Sequence, residues 1–275
     1  MQAKMVITDL DGTLLNSTGN LSRRNWEALE RLSENNIFIV IATGRSIFSV
    51  NKVIPGDCPI DYIVFSSGAG IYDWSRDKII DSTHLSPELV KQSAMEFHCR
   101  NINYFIHAPI PENHIFDYYI FDDRNGTDAW DRIRNYQEFA NRIDNISNYC
   151  FNNSCQVIGV SQSRSEIYES INKALPSLNV IRTTSPLDQK SLWIEVLPKN
   201  VSKASGCQKL CDQLGLNKSH TLGIGNDYND LDLLNWVGNS FVVGNAPSDL
   251  KEKFNIIDEN DKDGFSKLID LKIGD

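Results

Sequence analysis

"KMVITDLDGT", residues 4–13, runs from an unbroken apolar segment straight into two aspartates, a glycine and a threonine. The apolar half, "KMVIT" (4–8), has the length and branched side chains of a short strand. Polar residues do not alternate through it, so both faces are expected to be covered, as in the parallel sheet of an α/β protein. Asp9 and Asp11 are two positions apart and point the same way if the extension continues. Gly12 then permits a sharp turn. Two neighbouring carboxylates repel unless a cation or a proton sits between them. Taken alone, the same residues also read as a solvated Asp-Gly turn.

The pattern recurs along the chain. Residues 22–35 carry Trp26, Leu29 and Leu32 at helical spacing. "IFIVIATGR" (37–45) and "YIVFSSGAG" (62–70) repeat an apolar run that ends in small polar residues. Strand, helix, strand, helix in this order predicts an α/β fold with a doubly wound, mainly parallel sheet. The rhythm changes after residue 84. A helix over 87–100, strands over 102–108 and 114–122, a long helix over 128–144 and a strand over 156–161 are expected. A helix over 164–175 and strands near 178–183 and 192–197 complete an α+β insert. "LPKN" (197–200) leads back to the first pattern. There a helix from 202, a strand over 220–225, a helix over 230–236, a strand over 240–246 and a terminal helix follow. The expected organisation is a core of residues 1–83 and 198–275 with an inserted domain, 84–197. "DLDGT", "TGR", "SSG" and "GNDYND" all fall at the carboxyl ends of strands, where open α/β sheets carry their active sites.

Composition narrows the possible functions. The 275 residues, 41% hydrophobic and 23% charged, suffice for two modest domains. A net charge of −9 repels phosphate backbones, which argues against nucleic acid, and an anionic substrate must find local positive charge. No apolar run approaches the ~18 residues of a membrane span, and "MQAKMVITDLDG" lacks a signal-peptide core. The expectation is a cytoplasmic, reduced protein. Its six cysteines form no C-x-x-C pair, and Cys207 and Cys211 read as core thiols on a helix. "ENDKDGFSKLID" (259–270) resembles a calcium loop but opens on Glu259 and closes on Asp270, so it is set aside. The aromatic stretch "HIFDYYIFDD" (114–123) is assigned to core or sheet surface rather than to stacking on a ligand. Oligomeric state is not legible.

The polar clusters carry the chemistry. The Thr43 hydroxyl and the amides of Gly44 and Arg45 can hold phosphate oxygens. Lys203 begins a helix and offers a positive charge. "GNDYND" (225–230) gathers amide and carboxylate oxygens of the kind Mg²⁺ accepts while keeping several waters.

In this order, "DLDGT" (9–13), "TGR" (43–45), Lys203 in "VSKASG" and "GNDYND" (225–230) give a chain that resembles haloacid dehalogenase superfamily phosphatases. The likeness is to their Cof-type branch, with a C2 cap inserted between the second and third motifs. It runs over the whole chain, and "VGNAP" (243–247) followed by "DGF" (263–265) is similar to the branch's tail. The resemblance implies Asp9 as nucleophile and Asp11 as general acid and base. It implies phosphoryl binding by Thr43 and Lys203, with Asn229 on the phosphate side. It further implies Mg²⁺ held by Asp9, the Asp11 carbonyl and the fourth motif, where Asn226 and Asp230 are the candidates. The implied activity is hydrolysis of a small phosphorylated metabolite, a sugar phosphate by analogy, with the cap choosing the substrate. Physics agrees: a carboxylate facing a phosphate dianion costs roughly 8 kcal/mol at ~4 Å and an effective dielectric near 20. Mg²⁺ plus Lys203 supply enough positive charge to offset that repulsion.

Two positions depart from the branch. Ser67-Gly68 stands where Asn-Gly is usual, and Asn226 where aspartate is usual. Asn226 is neutral: either it ligates weakly, or Asp227 or Asp230 carries more of the metal binding, or the catalytic site is impaired. A catalytically weak regulator that binds phosphometabolites is the rival reading. A receiver domain fits poorly, because its acceptor lies on a later strand. A phosphomutase has no positive signature.

Overall fold

The computed structural model describes residues 3–121, 128–161, 166–185, 187 and 190–273. The chain divides into two compact units, Met1–Asp81 with Ser202–Asp275, and Ser82–Val201. The first unit begins with β1 (Met5–Thr8), a kinked turn over Leu10–Leu14, α1 (Arg23–Glu34), β2 (Phe38–Ala42), α2 (Ile47–Val50) and β3 (Tyr62–Phe65). β4 (Gly70–Asp73) and β5 (Lys78–Ser82) follow. The second unit contains α3 (Pro87–His98), β6 (Asn103–His107), β7 (Phe116–Tyr119), α4 (Asp128–Asn135) and β8 (Ala140–Arg142). It continues with β9 (Val157–Ser161), α5 (Glu166–Ala174), β10 (Leu178–Thr184) and β11 (Leu192–Pro198). The chain then returns to the first unit through α6 (Lys203–Leu214), β12 (Thr221–Gly225), α7 (Leu231–Trp236) and β13 (Asn239–Val243). α8 (Ser248–Lys251), β14 (Asn255–Ile257) and α9 (Gly264–Ile273) close it.

The first unit's sheet has the order β14-β13-β12-β1-β2-β3-β4-β5. β1 pairs in parallel with both β2 and β12, so the chain leaves β1 on one side and resumes on the other. Such a reversal opens a crevice at the carboxyl end of the central strand. All four residues of β1 are buried, as the unbroken apolar run requires. On one face Met5, Ile7, Val40, Ala42 and Val64 pack with Cys207, Leu210 and Cys211 of α6 and Leu233 of α7. Burial raises the Cys207 thiol and pushes Cys211 up to about 11, so both behave as core groups. α1 packs beside α9 and β2 and buries Ala28, Leu29 and Leu32. Ser22 caps α1 by accepting from the Asn25 amide.

The calcium-like stretch is spent on structure. Asp263 accepts from the Ser22 hydroxyl, Asp261 from the Ser17 amide, and Asp270 pairs with Arg31. α9 begins at Gly264, within the would-be loop.

The second unit's sheet has the order β10-β11-β9-β6-β7-β8, antiparallel except between β7 and β8. Val90, Ala94 and Phe97 of α3 and Ile171 of α5 cover one face. Ala129 and Ile133 of α4 pack on the other, with Phe105, Phe116 and Tyr118. The aromatic stretch thus lies in the core as far as Phe121; its last two residues, 122–123, lie outside the described residues, as do 164–165 at the start of the expected helix over 164–175. The long helix expected over 128–144 ends at Asn135. Its apolar stripe runs out after Ala129 and Ile133, because Gln137 is exposed. Ala140 and Ile143 then bury on opposite sheet faces, which only an extended segment allows. No described helix is long and apolar enough to cross a membrane.

Candidate active site

Asp9 follows β1 directly, and its amide donates to the Ile224 carbonyl of β12 at 2.9 Å. Its side chain is buried, with a residue exposure of 5%. Lys203 is the first residue of α6, and that start is fixed by reciprocal hydrogen bonds between Ser202 and Ser205. Gly68 makes room for it: a β-carbon there, at φ +99, would lie 2.0 Å from the Ser202 carbonyl oxygen. The Lys203 ammonium donates to Asp9 Oδ1 and to Asp230 Oδ1, each at 2.6 Å. Asp230 is fully buried. Its Oδ2 accepts from the amides of Asn226 at 2.8 Å and Asp227 at 3.2 Å. Gly225 permits that approach, since a β-carbon there would meet Asp230 Oδ2 at 2.5 Å.

Two carboxylates and one ammonium thus share a buried site carrying one net negative charge. Burial, then the charge of Asp230, pushes Asp9 up to about 7, against the pull of Lys203. Burial opposes the charge on Lys203, but Asp230 and Asp9 outweigh it and hold the ammonium above its ordinary range. Lys203 is therefore a fixed cation, and Asp9 is the group whose charge depends on what binds.

Thr43 lies just beyond β2 and is buried. Its Oγ1 accepts from the Arg45 amide at 3.1 Å, and its carbonyl accepts from the Ser67 amide at 3.0 Å. Gly44 is half-buried between them. Ser66 and Ser67 both have positive φ, 49° and 53°, before Gly68. This unusual turn for non-glycine residues holds the Thr-Gly-Arg backbone through the amides of Ser66 and Ser67. Asp11 turns its carboxylate onto Arg45, with both oxygens engaged at 2.7 and 2.6 Å. Asp227 accepts from its neighbour, the Tyr228 amide, at 2.8 Å. Asn229 is half-buried.

One contributor escapes the motif reading. Asn245, in "VGNAP", donates to the Gly12 carbonyl at 2.8 Å and accepts from the Asn260 amide at 3.1 Å. It ties the turn after β1 to the strand-end loop after β13. The signal was the tail likeness, which names no role for it.

The oxygen donors suit a hard cation. Asp9 Oδ2 takes no hydrogen bond among the described residues. The Asn226 side chain lies against Gly12: a β-carbon on Gly12 would be 2.6 Å from Asn226 Nδ2, and Gly12 adopts φ +74. Among the described residues no three or more His, Cys, Asp or Glu stand together as a ready metal cage. What remains is one carboxylate with main-chain and amide oxygens. Mg²⁺ accepts that set because it is commonly held by one or two carboxylates plus water and phosphate oxygens. Both Asp230 oxygens are committed to Lys203 and the loop amides.

Known proteins resemble this chain over most of its length. Residues 6–269 match the family model described as haloacid dehalogenase-like hydrolase. A 5-amino-6-(5-phospho-D-ribitylamino)uracil phosphatase of Bacillus subtilis is 24% identical over 97% of this chain and 94% of its own length. An HMP-PP phosphatase of Citrobacter koseri is 25% identical over 89% of this chain and 85% of its own. The solved structure of a subclass IIB sugar phosphatase superposes with a TM-score of 0.75 at 20% identity, covering 98% of each chain.

Proposed function

The chain belongs to the haloacid dehalogenase-like hydrolase family and is a phosphatase, and from that premise we propose that it hydrolyses a small phosphorylated metabolite with Mg²⁺, through a phosphate ester on Asp9. The observation that carries the reading is the buried Lys203 bridge between Asp9 and Asp230 at the carboxyl end of β1.

Asp9 attacks phosphorus with one carboxylate oxygen. The bond to the leaving oxygen breaks, and that oxygen takes its electron pair and a proton from Asp11. In the second half Asp11 takes a proton from water, the water oxygen bonds to phosphorus, and the Asp9–phosphorus bond breaks. The covalent ester divides one hard displacement into two. Lys203 keeps its charge throughout and faces the phosphoryl group that Asp9 acquires. The Thr43 hydroxyl and the Gly44 amide bind phosphoryl oxygens, with Asn229 on the same side. Positioning and charge do most of the work in phosphoryl transfer.

Asp9, the Asp11 carbonyl and Asn226 would hold Mg²⁺. When bound it supplies positive charge that offsets repulsion between the Asp9 carboxylate and the substrate dianion. Asp230 serves beside them by fixing Lys203 and the amides of the loop.

A sugar or polyol phosphate is the proposed substrate class. In support, one relative is named for a phosphoribityl substrate and one structural relative is called a sugar phosphatase. The inserted domain is proposed to choose among such substrates, and the cytoplasm as the place of action. Asn226 is the sole support for a regulator without turnover, and the phosphatase-named relatives favour turnover. The test is p-nitrophenyl phosphate hydrolysis with Mg²⁺, followed by mass spectrometry of acid-quenched enzyme. Phosphate should appear on Asp9, and Asp9→Asn should lose several orders of magnitude in rate. A variant as fast as wild type would remove Asp9 from its role.

A further inference from the structure

The sequence offers the amide of Arg45 to phosphate oxygens; its guanidinium faces Asp11. Nε donates to Asp11 Oδ2 at 2.7 Å and Nη2 to Oδ1 at 2.6 Å, a fork on both carboxylate oxygens. Arginine alone offers that planar pair of donors, and lysine cannot reproduce it. The far side of the guanidinium is also anchored: Nη1 donates to the Ser49 carbonyl at 3.3 Å and its hydroxyl at 3.1 Å. Ser49 itself is buried in α2. The Arg45 backbone is tied through its amide to Thr43 Oγ1 and through its carbonyl to the Ser66 amide. Asp11, by contrast, stands on a turn beside Gly12 with its side chain 36% exposed. The rigid partner of the two is Arg45.

We infer that Arg45 is a positioning residue for Asp11, aiming the carboxyl that hands a proton to the leaving oxygen, rather than a ligand of the phosphoryl group. This rests on the proposed function, in which Asp11 carries that proton. The fork and the Ser49 anchor fix the direction in which the Asp11 carboxyl points, and orientation of a reacting group acts on the chemical step rather than on substrate binding. Its value depends on the leaving group: a stable phenolate departs with little help, whereas a more basic oxygen needs the proton.

The test compares kcat/KM for p-nitrophenyl phosphate and phenyl phosphate in wild type, Arg45→Gln, Arg45→Lys and Asp11→Asn, with inorganic phosphate as competitive inhibitor. A general acid contributes about 10²-fold or more. Arg45→Gln should therefore lose about 10²-fold on phenyl phosphate and less than about tenfold on p-nitrophenyl phosphate. Arg45→Lys should recover only part of the difference, Asp11→Asn should show the same selectivity, and the double variant should lose no more than Asp11→Asn alone. Inhibition by inorganic phosphate should be unchanged in Arg45→Gln, which also reports an intact site. Equal losses on both substrates with weaker phosphate inhibition would make Arg45 a phosphate ligand and overturn the inference. So would Asp11→Asn without leaving-group selectivity. Asp9→Asn is assayed alongside: if it hydrolyses as wild type does, the proposed function fails first.

Discussion

Lys203→Met removes the one positive charge from between two buried carboxylates while keeping most of the side-chain volume. The ammonium touches Asp9 and Asp230 at 2.6 Å each. At an effective dielectric of about 20, each contact is worth roughly 6 kcal/mol of Coulomb attraction before desolvation is charged against it. Desolvation cancels much of that, and removal of one member of a buried ion pair typically costs about 3–5 kcal/mol net. The variant should therefore lose about 3–5 kcal/mol of folding stability near neutral pH. The loss should depend on pH with a definite sign. Asp9 is already raised from 3.8 to about 7 by burial and Asp230, and loss of Lys203 removes the group that pulls it down. A carboxyl with a raised folded pKa favours the native state below its unfolded value, and that advantage is lost as pH rises through the folded value. Denaturant unfolding at about pH 5 and about pH 8 should show the larger deficit at the higher pH. Phosphatase activity should fall by several orders of magnitude at both, and adding Asp230→Asn should restore stability but not activity. A variant as stable as wild type at the higher pH would refute the reasoning, because the two carboxylates would then not need the lysine.

Three further outcomes are expected. Gly68→Ala, which forces φ +99 on alanine and drives its β-carbon to 2.0 Å from Ser202 O, should cost about 3 kcal/mol or more. It should also depress activity by shifting the start of α6, as read by denaturant midpoint and p-nitrophenyl phosphate rate. In the second unit, His107 Nδ1 lies 2.8 Å from the Asn113 carbonyl and so carries the hydrogen, leaving Nε2 to accept from Arg132 at 3.0 Å. Burial, then the Arg132 charge, lowers His107 from 6.5 to about 3. The unfolded chain therefore binds the extra proton, and stability present above the unfolded value should fall by about 2 kcal/mol by roughly pH 5. His107→Gln should flatten that slope in pH-dependent denaturation. Asn226→Asp should lower the Mg²⁺ concentration for half-maximal activity, and calorimetric Mg²⁺ binding should tighten in parallel; no change in either would remove Asn226 from the metal's surroundings.

Much of the architecture was legible because apolar runs that admit no alternation have few ways to be buried. β1, β2 and β3 all lie within such runs, and each ends in the polar cluster seen in the sequence. The features that escaped depend on pairing rather than composition. β4 pairs antiparallel with β3 after the Ser66–Gly68 turn, with β5 beside it at the sheet edge, and β14, only three residues long, exists by pairing with β13. Helical spacing over 128–144 was real for one stretch, but α4 ends where its next core position would be Gln137.

The site divides in the same way. Residue types at two strand ends and one helix start pointed to Asp9, Thr43 and Lys203, because few other arrangements need an acid, a hydroxyl and a cation in that order. Sequence could not say which acid each cation would meet. The family resemblance made Asp230 a metal candidate, and the fold gives its two oxygens to Lys203 and to the Asn226 and Asp227 amides. The sequence offered the Arg45 amide to phosphate and was silent on the guanidinium, which meets Asp11 across a separation of 34 residues. Both pairings have one cause. A loop that brings backbone amides to a site also brings its charged side chains there, and a buried charge takes the partner that removes it from isolation. Asp230, fully buried, takes Lys203 and the amides; Asp11, partly exposed, takes the Arg45 fork. Of Asp9, Asp11 and Asp230, Asp9 is the one that keeps a carboxylate oxygen without a hydrogen bond among the described residues, which is what a nucleophile requires.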